Sequence, residues 1–203
     1  MRKAQKEETR KKIKEAALFS FEKKGYGDTQ IGDITKKAGV AQGTFYVHYS
    51  SKEELLDELL SEFNENFRSH LMDLWQKKKF KTLEGLVKKV ARAFLDYWGE
   101  NREFVKVYAE KAAQGLPLQN LRDGINPPVQ QFLMAVFQSV AEHFKVKFSL
   151  ELAAQGLLAL WLRLGLQALF SDSFSQKDVE KILVTMTLGI LKELIPNIDS
   201  YQF

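Results

Sequence analysis

The segment Ala38–Leu55 reads AGVAQGTFYVHYSSKEEL and places four rings, Phe45, Tyr46, His48 and Tyr49, among small residues. From Ile34 to Lys52 there is no Asp or Glu, while Lys36, Lys37 and Lys52 are basic. A surface helix ordinarily mixes both signs of charge, so this segment is suited to an anionic surface. The rings divide by spacing. Phe45 and Tyr49 are four apart and point inward with Val40, whereas Gln42 with Tyr46 and Thr44 with His48 are pairs on the outer side of the same short helix. Gly43 leaves room for close approach. Lys52 falls in the first turn of the next helix, where free amides and the positive dipole end already favour a phosphate.

Charge is concentrated around this segment. The chain has 203 residues and a net charge of +4, yet Met1–Lys52 alone holds twelve Lys and Arg against six Asp and Glu. With 45% hydrophobic residues the chain is neither disordered nor mostly membrane-embedded. The segment 150–170 has a spanning length, but it includes Glu151, Gln155, Arg163 and Gln167, which fits a buried helix better than a membrane span. MRKAQKEETRKKIKEAA lacks the apolar stretch of a secretion signal and carries acids that transit peptides avoid, so a cytoplasmic protein without a membrane partner is expected. The sequence contains no cysteine, which excludes disulfides and thiolate metal sites.

The elements that position these residues all read as helix, because apolar residues recur three and four apart and no run alternates as a strand does. Ile13, Ala16, Ala17 and Phe21 form one stripe, closed by Gly25. Thr29 is suited to cap a second, short helix, Gly39 supplies a turn, and the third helix runs from about Gln42 to Tyr49. Ser51 and Glu54 form a capping box for a long fourth helix with Leu55, Leu59, Phe63, Phe67, Leu71 and Leu74 inward. Thr82 caps a fifth, and Phe104 to Ala113 continue helical. Gly115 to Pro128 is the main break, before helices marked by Phe132, Val136, Val140 and Phe144, by Leu150 to Phe170, and by a last one capped by Ser175 and Asp178. The last helix is apolar on two stripes, Val179, Leu183, Met186, Ile190 and Val184, Leu188, Leu191, Ile195, and so needs two partners.

Two short helices joined at Gly39 and packed on a first helix make a helix-turn-helix, whose second helix lies in the DNA major groove. The ordered motifs I-x-x-A-A-x-x-x-F-x-x-x-G-Y from Ile13, T-x-I-x-D-I from Thr29, A-G-V at Ala38, G-T-F-Y at Gly43 and S-K-E-E-L at Ser51 resemble the DNA-binding domain of the TetR family of bacterial repressors. The resemblance covers Arg10 to Leu56. It implies an all-α protein with an N-terminal three-helix DNA-binding domain, residues 1–50, and a C-terminal helical ligand-binding and dimerisation domain, residues 51–203. It further implies a homodimer on a palindromic double-stranded operator, released by a small-molecule inducer. Gln42, Gly43 and Thr44 then occupy base-reading positions, and Tyr46, His48 and Lys52 mostly phosphate-contacting ones. Three positions depart from the family pattern. Gly32 stands where many members have a basic residue, Ala41 replaces a frequent serine at the helix cap, and Val47 replaces a frequent aromatic or histidine.

The C-terminal part contains no metal-ligand spacing around His70 or His143, no Walker or G-x-S-x-G sequence, and no other motif of an enzyme. The glycines of GYGDTQIG have the wrong spacing for a phosphate loop. No cofactor is expected. Aromatic residues are abundant there, and Phe94, Trp98, Tyr108, Phe132, Trp161 and Arg163 are candidates to line a pocket for an apolar or aromatic inducer, with Arg163 able to anchor an anionic group. Arg163 shares a side of its helix with Gly156, Ala159 and Gln167, which equally suits an interface with a second subunit. The alternative to an inducible repressor is a helical dimeric scaffold that binds a protein partner and uses DNA only for localisation. A C-terminal part without a cavity would favour that reading.

Overall fold

The computed structural model describes residues 2–77, 81–113, 127–147 and 149–198. The described residues form helices and no strand. In chain order the helices are α1 (Arg2–Lys24), α2 (Ile31–Ala38), α3 (Gln42–His48), α4 (Lys52–Gln76), α5 (Leu83–Glu100), α6 (Arg102–Ala113), α7 (Pro127–Ala141), α8 (Leu150–Phe170) and α9 (Gln176–Leu194). They gather into two compact units, Met1–Phe63 with Arg102–Leu116, and Asn64–Asn101 with Pro117–Phe203. Helix α4 is continuous through the point where the units divide.

In the first unit, Ile13, Ala17, Phe21, Ile34, Phe45 and Tyr49 converge with Leu55, Leu56 and Leu59 of α4 on one apolar core. Each large side chain removed from water there contributes about 1.5 to 3 kcal/mol. Val107 of α6 belongs to the same core and Phe104 packs against it. Gly25 ends α1 with φ +79°, its amide on the Phe21 carbonyl at 2.8 Å. Gly39 turns α2 into α3 with φ +68°. Both are left-handed positions that glycine occupies without strain.

Thr29 does not cap α2. Its one hydroxyl proton is shared between the carbonyls of Gly25 at 2.7 Å and Ser20 at 3.1 Å and so finishes α1, while Gln30 takes the cap position of α2 with its backbone amide on the Asp33 carboxylate. Ser51 accepts from the Glu54 amide as the capping box requires, but the Glu54 carboxylate reaches back to Ser50 rather than to Ser51. Thr82 and Ser175 cap α5 and α9 as their spacing predicts. The expected continuation of α5 past Asn101 is a separate helix, because Asn101 leaves helical geometry with φ −110° and ψ 27°.

In the second unit α9 packs against α5 and α8, and α8 packs against α5 and α7. The stripe Val179, Leu183, Met186, Ile190 splits. Val179 and Leu183 are buried, whereas Met186 and Ile190 are exposed together with Ile182. Helix α8 is long and apolar enough by length and composition to cross a membrane, yet only 17% of its apolar window is buried within the chain. The buried helix expected from the sequence is thus only partly buried within one chain.

Candidate DNA interface and ligand cavity

Helix α3 begins at Gln42 because Ala41 holds extended geometry, φ −69° and ψ 150°, with no side chain able to accept from the first turn. Phe45 is fully buried and Tyr49 almost so, and their rings lie 5.7 Å apart beneath the helix. With that face fixed, the opposite one is fixed too. Gln42 and Gly43 are exposed, Tyr46 is 53% and Val47 68% exposed, and Thr44 is half-buried. A Cβ added at Gly43 or Gly32 would meet nothing within 4 Å. Gln42 and Tyr46 share an open concavity with Gly32 and Lys52. Gln42, Tyr46 and Lys52 of the expected outer face are thus brought together and open to solvent, with Glu53 in the same lining.

His48 is only half-buried, and its Nδ1 is enclosed with no hydrogen-bond partner among the described residues. Burial, then the charges of Lys6 and Arg10, push the imidazole below its ordinary range, with Glu7 opposing. The ring lies within the field of Lys6 and Arg10 of α1. A phosphate brought close would reverse that shift by favouring the protonated ring.

Lys52 has an additional role that its position in the motif does not reveal. Its ammonium donates to the carbonyls of Tyr26 at 2.7 Å, Thr29 at 2.7 Å and Gly27 at 3.3 Å, and stands 4.4 Å from the centre of the Tyr26 ring. The same Tyr26 donates its hydroxyl to Glu53 at 3.0 Å. An ammonium has three donors, so all are directed to the α1–α2 turn and only its charge remains for a phosphate. Behind the recognition face, Arg10 pairs with Glu58 and donates to the Tyr49 hydroxyl at 3.2 Å, and Lys14 reaches Glu58 at 3.3 Å and Glu62 at 2.5 Å. Burial opposes the Glu58 carboxylate, yet the hydrogen bonds from Arg10 and Lys14 hold it below the usual range. These pairs tie α1 to α4 through a shared Glu58.

The second unit encloses a cavity of about 90 Å³. Of the six ligand candidates, Phe94, Trp98 and Trp161 line it, and their rings touch, with Phe94 4.6 Å from Trp98 and 5.4 Å from Trp161. Phe67 and Leu71 of α4 close one side, Leu191, Ile195 and Ile198 another. Thr187 is the polar member of the wall, and its hydroxyl accepts from Trp161 Nε1 at 2.9 Å. Thr187 is not among the residues that helical periodicity singles out on α9. Tyr108 lies in the first unit, away from the cavity wall, where burial pushes its hydroxyl up to about 12. Arg163 is exposed on the face of α8 that also presents Leu152, Gly156 and Ala159, and it is not part of the cavity wall. Phe132 lies on α7, but its side chain falls outside the described residues. No cluster of metal ligands occurs among the described residues.

Residues 13–59 match the family model described as "Bacterial regulatory proteins, tetR family". Among curated proteins, the HTH-type transcriptional regulator YdgC of Bacillus subtilis is 38% identical over 61 residues, 30% of this chain and 31% of that protein. The regulator AcrR of Shigella flexneri is 42% identical over 60 residues, 29% of this chain and 28% of its own length. The chain therefore covers about a third of the length of such relatives. Over nearly the whole chain the fold is shared with solved structures. A TetR-family regulator from Syntrophomonas wolfei superposes with TM-score 0.77 at 20% identity, covering 91% of this chain and 95% of the other. FadR of Thermus thermophilus, solved in complex with lauroyl-CoA, superposes with TM-score 0.68 at 20% identity, covering 91% and 93%. Residues 13–59 therefore carry a tetR-family segment, and the chain as a whole shares its fold with solved tetR-family regulators.

Proposed function

We propose that this chain is a cytoplasmic, non-enzymatic repressor that binds a palindromic operator as a homodimer and leaves it when an apolar small molecule enters the second unit. The observation that carries the DNA part is the outer face of α3, exposed, free of acids and backed by the buried Phe45 and Tyr49. Gln42, Gly43 and Thr44 read base edges, while Tyr46, His48 and the charge of Lys52 meet phosphates. Function in this reading divides near residue 50, with residues 1–50 carrying recognition and 51–203 carrying ligand binding and dimerisation. The first turns of α4 and helix α6 serve the former as support.

Two faces support the dimer. Ile182, Met186 and Ile190 leave an exposed apolar stripe on α9, and α8 leaves Leu152, Gly156 and Ala159 uncovered beside Arg163. A second copy covers both, and Arg163 lies at that interface rather than on the ligand. Half-sites for such a dimer sit about 34 to 36 Å apart, so both recognition helices must engage together.

The cavity favours an inducible protein over a scaffold. Among the described residues its wall offers one hydroxyl, already engaged by Trp161, and no charge. A buried carboxylate would be left uncompensated there, so the part of the inducer that enters is neutral and apolar. An acyl chain with its polar head outside meets this requirement, in keeping with the lauroyl-CoA held by the Thermus thermophilus relative. At about 90 Å³ the cavity is well below the several hundred Å³ of a typical ligand site, so entry must move side chains. Phe67 and Leu71 are among those that move, and they belong to α4, whose Leu55 and Leu56 lie in the core under α3. An inducer thereby favours a dimer whose recognition helices are wrongly spaced.

Selection of bound fragments from a random DNA pool tests the reading. Recovery of one two-fold symmetric sequence, released by acyl thioesters or alkanols and not by divalent metals, is the expected result. Recovery of no enriched sequence would overturn it.

A further inference from the structure

We infer that Gly165 of α8 gauges the cavity, setting the longest apolar chain it admits by holding Phe94 and Trp98 back from it; this rests on reading the cavity as the inducer site. Glycine is a poor helix former, and Gly165 stands far inside a helix of 21 residues, so local stability does not favour it there. Packing does. A Cβ built at Gly165 would lie 2.6 Å from Phe94 Cζ, 2.8 Å from Phe94 Cε1 and 3.0 Å from Trp98 Cε3. Both rings therefore rest directly on the α8 backbone. Gly156 and Gly189, by contrast, have open space where a Cβ would be.

Gly165 is not itself part of the cavity wall, whereas Phe94 and Trp98 are. It acts through them. Phe94 is 3% exposed and is hemmed in by Phe67 at 5.9 Å, Trp98 at 4.6 Å and Trp161 at 5.4 Å between ring centres. A methyl group at position 165 must displace the tip of the Phe94 ring, and the free volume beside that ring is the cavity. With only about 90 Å³ to begin with, a ring shift consumes a substantial share of it. Gly165 is thus a positioning residue for ligand selectivity, with no role in DNA recognition.

The experiment uses the full chain and straight-chain 1-alkanols of increasing length as probes, with binding followed by quenching of tryptophan emission and by thermal shift. Wild type, Gly165→Ala, Phe94→Leu and the double variant are compared, and helicity and affinity for the selected DNA are measured in each. Gly165→Ala is expected to lose the longest bound alkanols, at least tenfold in affinity, while shorter ones and DNA are bound as before. Phe94→Leu should extend the range, and adding it to Gly165→Ala should restore the wild-type limit. An unchanged length limit in Gly165→Ala, with the wild type binding the series, would overturn the gauge and leave the cavity reading standing. If the wild type binds no alkanol, the cavity reading fails and the gauge fails with it. Should Gly165→Ala not fold, Phe94→Leu decides alone, since an unchanged limit there also overturns the proposal.

Discussion

Ala41 leaves the start of α3 without a side-chain acceptor, and the Thr44 amide turns instead to the Ala41 carbonyl at 2.9 Å. Serine at a cap typically contributes about 0.5 to 2 kcal/mol, and the existing backbone bond places the gain for Ala41→Ser near the lower end. Denaturant unfolding should show a raised midpoint at constant slope. Gln42→Ala is expected to relax preference at one base pair of each half-site, since a bidentate glutamine–adenine pair carries about 1 to 3 kcal/mol of discrimination; affinities for single-base operator variants measure this directly. Lys52→Ala differs in kind. It removes a charge near the DNA, which weakens all operator variants alike and flattens the salt slope by about one unit per contact. It also strips three carbonyls of the α1–α2 turn of their donor, and bonds to a charged group are worth about 1.5 to 3 kcal/mol each, so the melting temperature should fall as well. A normal melting temperature would mean that the turn holds without it. The motif placed Lys52 in the first turn of α4, where it shares a concavity with Gln42 and Tyr46. It could not show the three carbonyls, which lie 23 to 26 residues earlier and meet the ammonium only through the fold.

Between helices, the ion pairs linking α1 to α4 make a pH-dependent strut. Glu58 accepts from Arg10 and Lys14 and is held below its ordinary value of 4.5. The sign follows from linkage. On acidification the unfolded chain takes up this proton first, so the stability conferred by ionised Glu58 is complete above about pH 4.5 and lost as the pH falls through the lower folded value. Glu58→Gln should therefore lower the melting temperature at pH 7 and flatten its acid decline below pH 4.5; a decline as steep as the wild type's would assign the acid limb to other carboxylates. Helix existence and inward faces were legible because 3.6-residue periodicity is strong in α4, α5 and α9. The partners of Arg10 and Lys14 were not, because charges 44 to 48 residues apart carry no periodic signal. The same limit hid the return of α6 to the first unit, where Val107 joins a core built mainly from residues before 60.

At the scale of the assembly, the surface of α8 and α9 is the main source of expectation. The two apolar stripes of α9 called for a second partner, but periodicity alone could not say that the first stripe would split, with Met186 and Ile190 outward beside Ile182. Packing against α5 and α8 buries Val179, Leu183, Leu191 and Ile195 and leaves Ile182, Met186 and Ile190 uncovered, the last three 47%, 44% and 38% exposed. Met186 stands at the middle of that stripe. Met186→Glu places a carboxylate where a second copy would have to bury it, at a desolvation cost of several kcal/mol per ion, while in the separate chain the side chain stays in water. The variant should therefore fold with unchanged helicity but run as a monomer in sedimentation velocity. In the proposed reading operator binding requires two recognition helices held together, so affinity for the full palindrome should fall about a hundredfold or more towards the non-specific level, whereas binding to an isolated half-site should change little. A variant that remained dimeric would place the interface elsewhere. One that became monomeric yet held the palindrome as tightly as before would show that the two half-sites are not read jointly, and the release mechanism based on recognition-helix separation would fall with that result.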